Sequence, residues 1–195
     1  MKIPSGQLTP AKIQDFVNSL QFNFEKKGET HRSVEEALRA GEAHCFEGAL
    51  IAAAALQRQG QRPLLLDLKA TRPDFDHVVT LFKANGKWGA ISKTNHATLR
   101  YREPVYASVR ELAMSYFNEY FLENGVKTMR SFSTKPFDLS KFGKTWLTGT
   151  KNLAYIAHAL DRAPHTAILT PAQAKKLRKV DKIERKMLGL EQYRS

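Results

Sequence analysis

Apolar residues in the first sixty positions recur at helical spacing. Ile13, Phe16, Val17 and Leu20 follow Thr9-Pro10, a side-chain cap with proline at the first helical position, so a helix is expected from Pro10. Ser33 and Glu36 in "SVEE" form the capping box of a short second helix running to Leu38, which Gly41 interrupts. From Cys45 to Gln59 the chain is apolar on almost every side, which predicts a buried helix stopped by Gly60. Then the period changes. "RPLLLDL" and "HVVTLF" read as strands, and Asn85-Gly86 in "ANGKWGAIS" predicts a tight turn and a returning strand, giving a hairpin over residues 77–92.

After Pro104 the pattern is helical again. Ser108 and Glu111 mark another capping box, with Leu112, Tyr116 and Tyr120 on one face ahead of Gly125. Residues 127–149 show no dominant period. Two further helices are expected, over residues 152–160 and 171–190. In the second, Leu177, Val180, Ile183, Met187 and Leu190 recur every three or four positions beside a basic face. Helices, then strands, then helices predict an α+β fold with a helix packed on an antiparallel sheet. The 195 residues suit one compact unit, a core over 1–104 and a mostly helical extension over 105–195 packed on it.

Composition narrows the function classes. With 42% hydrophobic residues and 10% aromatics the chain can build a core and is not disordered. The longest apolar stretch, residues 49–56, is too short to span a bilayer, and the N-terminus carries no apolar leader-type run. A single cysteine excludes an internal disulfide, so a reducing cytoplasmic compartment is expected. No phosphate-binding loop or dinucleotide fingerprint is present and the histidines lack metal-ligand spacing, so neither cofactor nor metal is expected.

The net charge of +12 points to something acidic as a partner: nucleic acid, an anionic membrane surface or an acidic protein. Residues 172–195 hold eight Lys/Arg and three Asp/Glu, so eight minus three, +5, lies there and the rest is dispersed. The first expectation for that segment is a helix docked on the body with a solvated basic face.

The chemistry gathers at Cys45. A cysteine at a helix N-terminus gains thiolate character from the helix dipole, and a neighbouring imidazole can share its proton. His77, at the head of the first hairpin strand, is the candidate base, with His44 and His96 as competitors. A third polar group is needed to orient the ring.

"AGEAHCFEGALIAAAALQRQGQRPLLLDL", followed by "DHVVTLFKANGKWGAIS", resembles the core of the transglutaminase-like superfamily of cysteine enzymes, which have a papain-like fold. In that family a cysteine opens a buried helix, a histidine begins a strand and an aspartate lies on the adjacent strand beyond a tryptophan. The resemblance covers residues 9–95 and implies Cys45 as nucleophile and His77 as general base. The aspartate position falls on Ser92, four residues past Trp88, where a hydroxyl replaces a carboxylate.

Register decides among the alternatives for the third role. A two-residue turn at Asn85-Gly86 sets His77 opposite Thr94 with Ser92 diagonal on the same face, whereas a three-residue loop sets Asn95 opposite His77. Asp67, on the preceding strand, could supply a carboxylate. Asp76 alternates to the other face.

The resemblance implies cysteine-dependent acyl transfer or amide hydrolysis on a peptide or protein substrate. The alternative is a catalytically idle scaffold of the same fold that binds an acidic partner.

Overall fold

The computed structural model describes residues 1–150 and 152–193. Helix α1 (Pro10–Ser19) starts at the Thr9 cap, whose side chain accepts from the Lys12 amide. Strand β1 (Gln21–Phe22), helix α2 (Val34–Ala40) and strand β2 (Glu42–Ala43) follow, with both halves of the Ser33–Glu36 capping box formed. Gly41 ends α2 at φ 75°, a left-handed conformation that glycine adopts without side-chain strain. Strands β1 and β2 pair in parallel, which leads the chain directly into helix α3 (Cys45–Arg58).

Strands β3 (Leu64–Ala70), β4 (His77–Ala84), β5 (Lys87–Ser92) and β6 (Arg102–Tyr106) form an antiparallel meander. Helix α4 (Val109–Tyr116) is capped by Ser108 through the Glu111 amide. Beyond it come β7 (Met129–Ser133), β8 (Phe137–Asp138), α5 (Thr145–Thr148), α6 (Ala154–Asp161), β9 (His165–Ala167), α7 (Pro171–Lys175) and α8 (Lys182–Arg185). The sheet runs β6-β5-β4-β3-β7-β9, β8 also pairs with β3, and every neighbouring pair is antiparallel. This is an α+β fold.

Both faces of the sheet are covered, which explains the unbroken apolar run at Leu64–Leu66. Leu65, Val78, Phe82 and Ile91 face the cluster built by α1, α2 and α3. Leu66, Leu68, Val79 and Leu81 face the cluster built by α4, Tyr120, Met129 and Phe132. Helix α3 is therefore buried along nearly its whole length, from Phe46 to Leu56. Its Gly48 lies against β5's exit: an added Cβ would come within 2.3 Å of Lys93 Cβ.

The C-terminal half departs from expectation in two ways. Residues 105–193 are not mostly helical, because β7, β8 and β9 extend the same sheet. They are too short to show a period in the sequence. The single helix expected over 171–190 is two short helices with an interruption at Leu177–Val180. Asp181 starts the second one: its side chain accepts from the Ile183 and Glu184 amides, and Glu184 completes a capping box. The intended apolar stripe is broken accordingly. Val180 is buried, whereas Ile183 and Leu190 stand in solvent. No helix among the described residues is long and apolar enough to cross a membrane.

Candidate active site

Cys45 is the first residue of α3 and is half-buried. Two features of the sequence hold that helix end in place. His44 is the N-cap, its Nδ1 accepting from the Phe46 amide at 3.3 Å while Nε2 meets the Thr30 carbonyl at 2.8 Å. Glu47, two residues beyond Cys45 and fully buried, is clamped by Arg32 through Nε at 2.7 Å and NH2 at 3.0 Å, with Asn23 and Thr30 adding hydrogen bonds. Burial alone would raise the Glu47 carboxyl, but the Arg32 hydrogen bonds and the charges of His44 and Arg32 hold it below its ordinary value. A buried, bidentate ion pair thus anchors the first turn of α3.

The Asn85-Gly86 turn has φ 50° and 75°, both positive as a two-residue hairpin turn requires. It sets Val79 opposite Ser92, so His77 and Ser92 fall diagonally on one face. His77 Nε2 and Ser92 Oγ are 2.7 Å apart, and both residues are buried. The Ser92 hydroxyl also donates to the Leu99 carbonyl at 2.6 Å. A hydroxyl has one proton. Having given it to Leu99, Ser92 accepts from His77 Nε2–H, which leaves His77 Nδ1 to face the thiol with a lone pair.

Burial would raise the Cys45 thiol, yet hydrogen bonds from His44 and His77, together with their charge, outweigh it and bring the group down from 9.0 to about 5. The two imidazoles thus act on the thiol together. For His44, burial opposes charging, but the Cys45 thiolate, Glu47 and the Thr30 carbonyl raise the ring from 6.5 to about 9. A proton on His44 Nδ1 excludes the Phe46 amide from it, so the cap and the charged ring cannot coexist.

The remaining candidates go elsewhere. Asn95 does not orient His77, because the two-residue turn gives that place to Ser92. Asn95 instead exchanges hydrogen bonds with the Tyr193 backbone, Nδ2 to O and N to Oδ1, both 2.8 Å. Asp67 pairs with His165 Nε2 at 3.1 Å. His96 turns to the Leu188 carbonyl at 3.0 Å. Trp88 stands near the hairpin turn under Lys83, whose Nζ is 4.4 Å from its ring centroid.

No protein-family model and no curated protein matches the chain.

Cys45 and His77 open into a cavity of about 430 Å³, walled by Phe22, Phe24, Phe75, Tyr120 and Leu188 among others. Phe75 is 76% exposed at its mouth, and its carbonyl accepts from the buried Tyr120 hydroxyl at 2.8 Å. A neighbouring hollow of about 660 Å³ shares Phe22, Asn23, Phe24 and Glu25 with it. Lys93 also lines the cavity, buried, its ammonium on the Leu20 carbonyl at the end of α1 and 5.2 Å from the Tyr193 ring centroid. Burial and the nearby Arg100 lower it to about 8.

The one carboxylate group with metal-ligand proximity among the described residues is Asp67, Asp76 and Asp161. Lys69, 2.6 Å from Asp161, and the His165 ring, 3.1 Å from Asp67, already occupy two of these carboxylates.

Sequence reasoning missed Gln14, which joins Ser92 through both backbone groups. Gln14 Nε2 donates to the Ser92 carbonyl at 2.7 Å, and the Ser92 amide donates to Gln14 Oε1 at 2.9 Å. Gln14 is buried on α1, where a polar residue inside an apolar period is the signal that could have found it.

Proposed function

We propose that the protein is a cysteine-dependent acyltransferase or amide hydrolase with a transglutaminase-like, papain-type core, acting on a peptide or protein. The observation that carries this reading is a thiol at a helix N-terminus beside a histidine whose outer nitrogen is held by Ser92. In the reactive form the thiol proton has already passed to His77 Nδ1, and the Sγ thiolate attacks the carbonyl carbon of the amide. The resulting oxyanion faces the N-terminus of α3, where the Cys45 amide has no acceptor within the helix. His77 then gives its proton to the leaving amine, the C–N bond breaks, and an acyl thioester remains on Cys45. Water or an amine, deprotonated by His77, attacks the thioester and releases Cys45. The cavity of about 430 Å³ at Cys45 and His77 leaves room for the acyl group.

The test is the rate of iodoacetamide alkylation of the native protein against pH, paired with turnover of peptide amides by the unaltered chain and by Cys45→Ala. A thiolate persisting to about pH 5, and turnover lost in a Cys45→Ala protein that still melts cooperatively, are the expected results. A thiol that titrates near 9.0 leaves the idle scaffold as the surviving reading, to be pursued by salt-dependent capture of an acidic partner.

A further inference from the structure

A serine in the third position raises a problem that an aspartate does not. A carboxylate can only accept from the histidine, whereas a hydroxyl can accept or donate. If Ser92 donates to His77 Nε2, the ring proton moves to Nδ1 and no lone pair faces the thiol. Something outside the Cys45–His77–Ser92 trio has to choose.

The Ser92 backbone is already fixed on both sides by Gln14, which leaves only the direction of its hydroxyl open. The Leu99 carbonyl takes that proton at 2.6 Å. Leu99 reaches this position with φ 60°, a left-handed conformation unfavourable for a leucine. Its amide donates to Glu119 Oε2 at 2.7 Å. The other oxygen, Oε1, is 2.6 Å from Arg102 NH2. Arg102 is itself held, with its guanidinium 4.0 Å from the Tyr116 ring centroid and its Nε donating to Ser115 Oγ at 2.9 Å.

We infer that Glu119 is a positioning residue for the Cys45–His77 pair: by holding Leu99 in the left-handed conformation it keeps Ser92 an acceptor and His77 protonated on Nε2. This rests on the cysteine-enzyme reading above. The carboxylate absent from the third position acts one step further out, through the backbone.

Two measurements on the full chain test it. In Cys45→Ala protein with ¹⁵N-labelled histidine, at a pH where the ring is neutral, long-range ¹H–¹⁵N spectra should show His77 protonated on Nε2. Glu119→Leu in that background should move the population toward Nδ1–H, and adding Leu99→Gly should move it back, because glycine takes the left-handed conformation unaided. In the Cys45-containing chain, Glu119→Leu should slow alkylation at pH 6 by about tenfold, the worth of one hydrogen bond.

An unchanged tautomer, or an unchanged alkylation profile in a folded Glu119→Leu protein, overturns the inference while leaving the cysteine-enzyme reading intact. A thiol near 9.0 in the unaltered chain sinks that reading itself. Should Glu119→Leu fail to fold, the Glu119→Leu, Leu99→Gly double variant takes its place: restored folding with His77 protonated on Nε2 sustains the role of Glu119, and failure to fold or Nδ1 protonation overturns it.

Discussion

His77 and His165 each begin a strand of the same sheet, and they are given opposite partners. His165, at the head of β9, meets the Asp67 carboxylate at 3.1 Å while its Nδ1 lies 2.6 Å from the Ala163 carbonyl. His77, at the head of β4, meets a serine hydroxyl. Both ring nitrogens of His165 thus face oxygen atoms, which locks the ring in place. His77 has one nitrogen held by a neutral group and the other turned to a thiol. The sheet's buried carboxylate Asp67 has gone to the histidine that has no thiol beside it. A second anion beside a half-buried thiolate would raise the thiol; a hydroxyl orients the ring without adding that charge.

The comparison breaks most visibly if the two histidines are exchanged in importance. His77→Ala should lower turnover by about 10²–10⁴-fold, as loss of a general base does, while His165→Ala leaves it within twofold to threefold, about 0.5 kcal/mol. The pH profile carries the same contrast. With the folded thiol near 5 and its ordinary value at 9.0, the thiolate's stabilisation of the fold is full above pH 9, shrinks as pH falls and is gone below 5. His44, raised from 6.5 to about 9, runs the other way: its contribution is full below pH 6.5 and lost as pH rises through 9. The two slopes cancel between pH 6.5 and 9, so stability from the Cys45–His44 pair should rise between about pH 5 and 6.5 and stay level above, and urea midpoints across pH 4–10 should show that rise in the unaltered chain and lose it in Cys45→Ala.

Next in size is Asp67→Asn. Removing the carboxylate leaves His165 facing an amide in a nearly buried site, at a cost of about 1–3 kcal/mol in unfolding free energy. Cys45 alkylation should keep its pH profile. A shifted profile would mean that Asp67 reaches the thiol through the sheet, and the two histidines would no longer be separable. Ser92→Ala is smaller in free energy and opposite in character. It should slow Cys45 alkylation at pH 6 about tenfold, about 1.4 kcal/mol, because His77 loses the acceptor that holds its ring. Equal rates in Ser92→Ala would make the hydroxyl a strand-end ornament.

Why one half of this contrast is legible in the sequence and the other is not follows from contact range. Cys45 and α3 announce themselves by a helical apolar period and a stop at Gly60. The Asn-Gly turn fixes the register that brings Ser92 to His77. Those are local signals. Gln14 contacts Ser92 across 78 positions, and His165 contacts Asp67 across 98. Nothing near either residue marks the pairing. Glu119 and Leu99 are closer in sequence, but a leucine in the left-handed region leaves no compositional trace. At 171–190 a period was present and misleading, since Asp181 and Glu184 start a new helix inside it.

Asn95 gives the smallest effect and the sharpest check on the register. Its amide closes two hydrogen bonds with the Tyr193 backbone, and its own carbonyl accepts from the Gln192 amide at 2.8 Å. The side chain therefore ties residues near 193 to the loop that follows β5. Asn95→Ala removes both side-chain bonds from a segment that can rehydrate, so the net cost should be about 1 kcal/mol or less. Exchange of the Tyr193 amide should quicken, while the tautomer of His77 and the alkylation profile of Cys45 stay fixed. If the Cys45 profile moves with Asn95, the ring of His77 senses the loop after Ser92, and the assignment of its outer nitrogen to Ser92 alone fails.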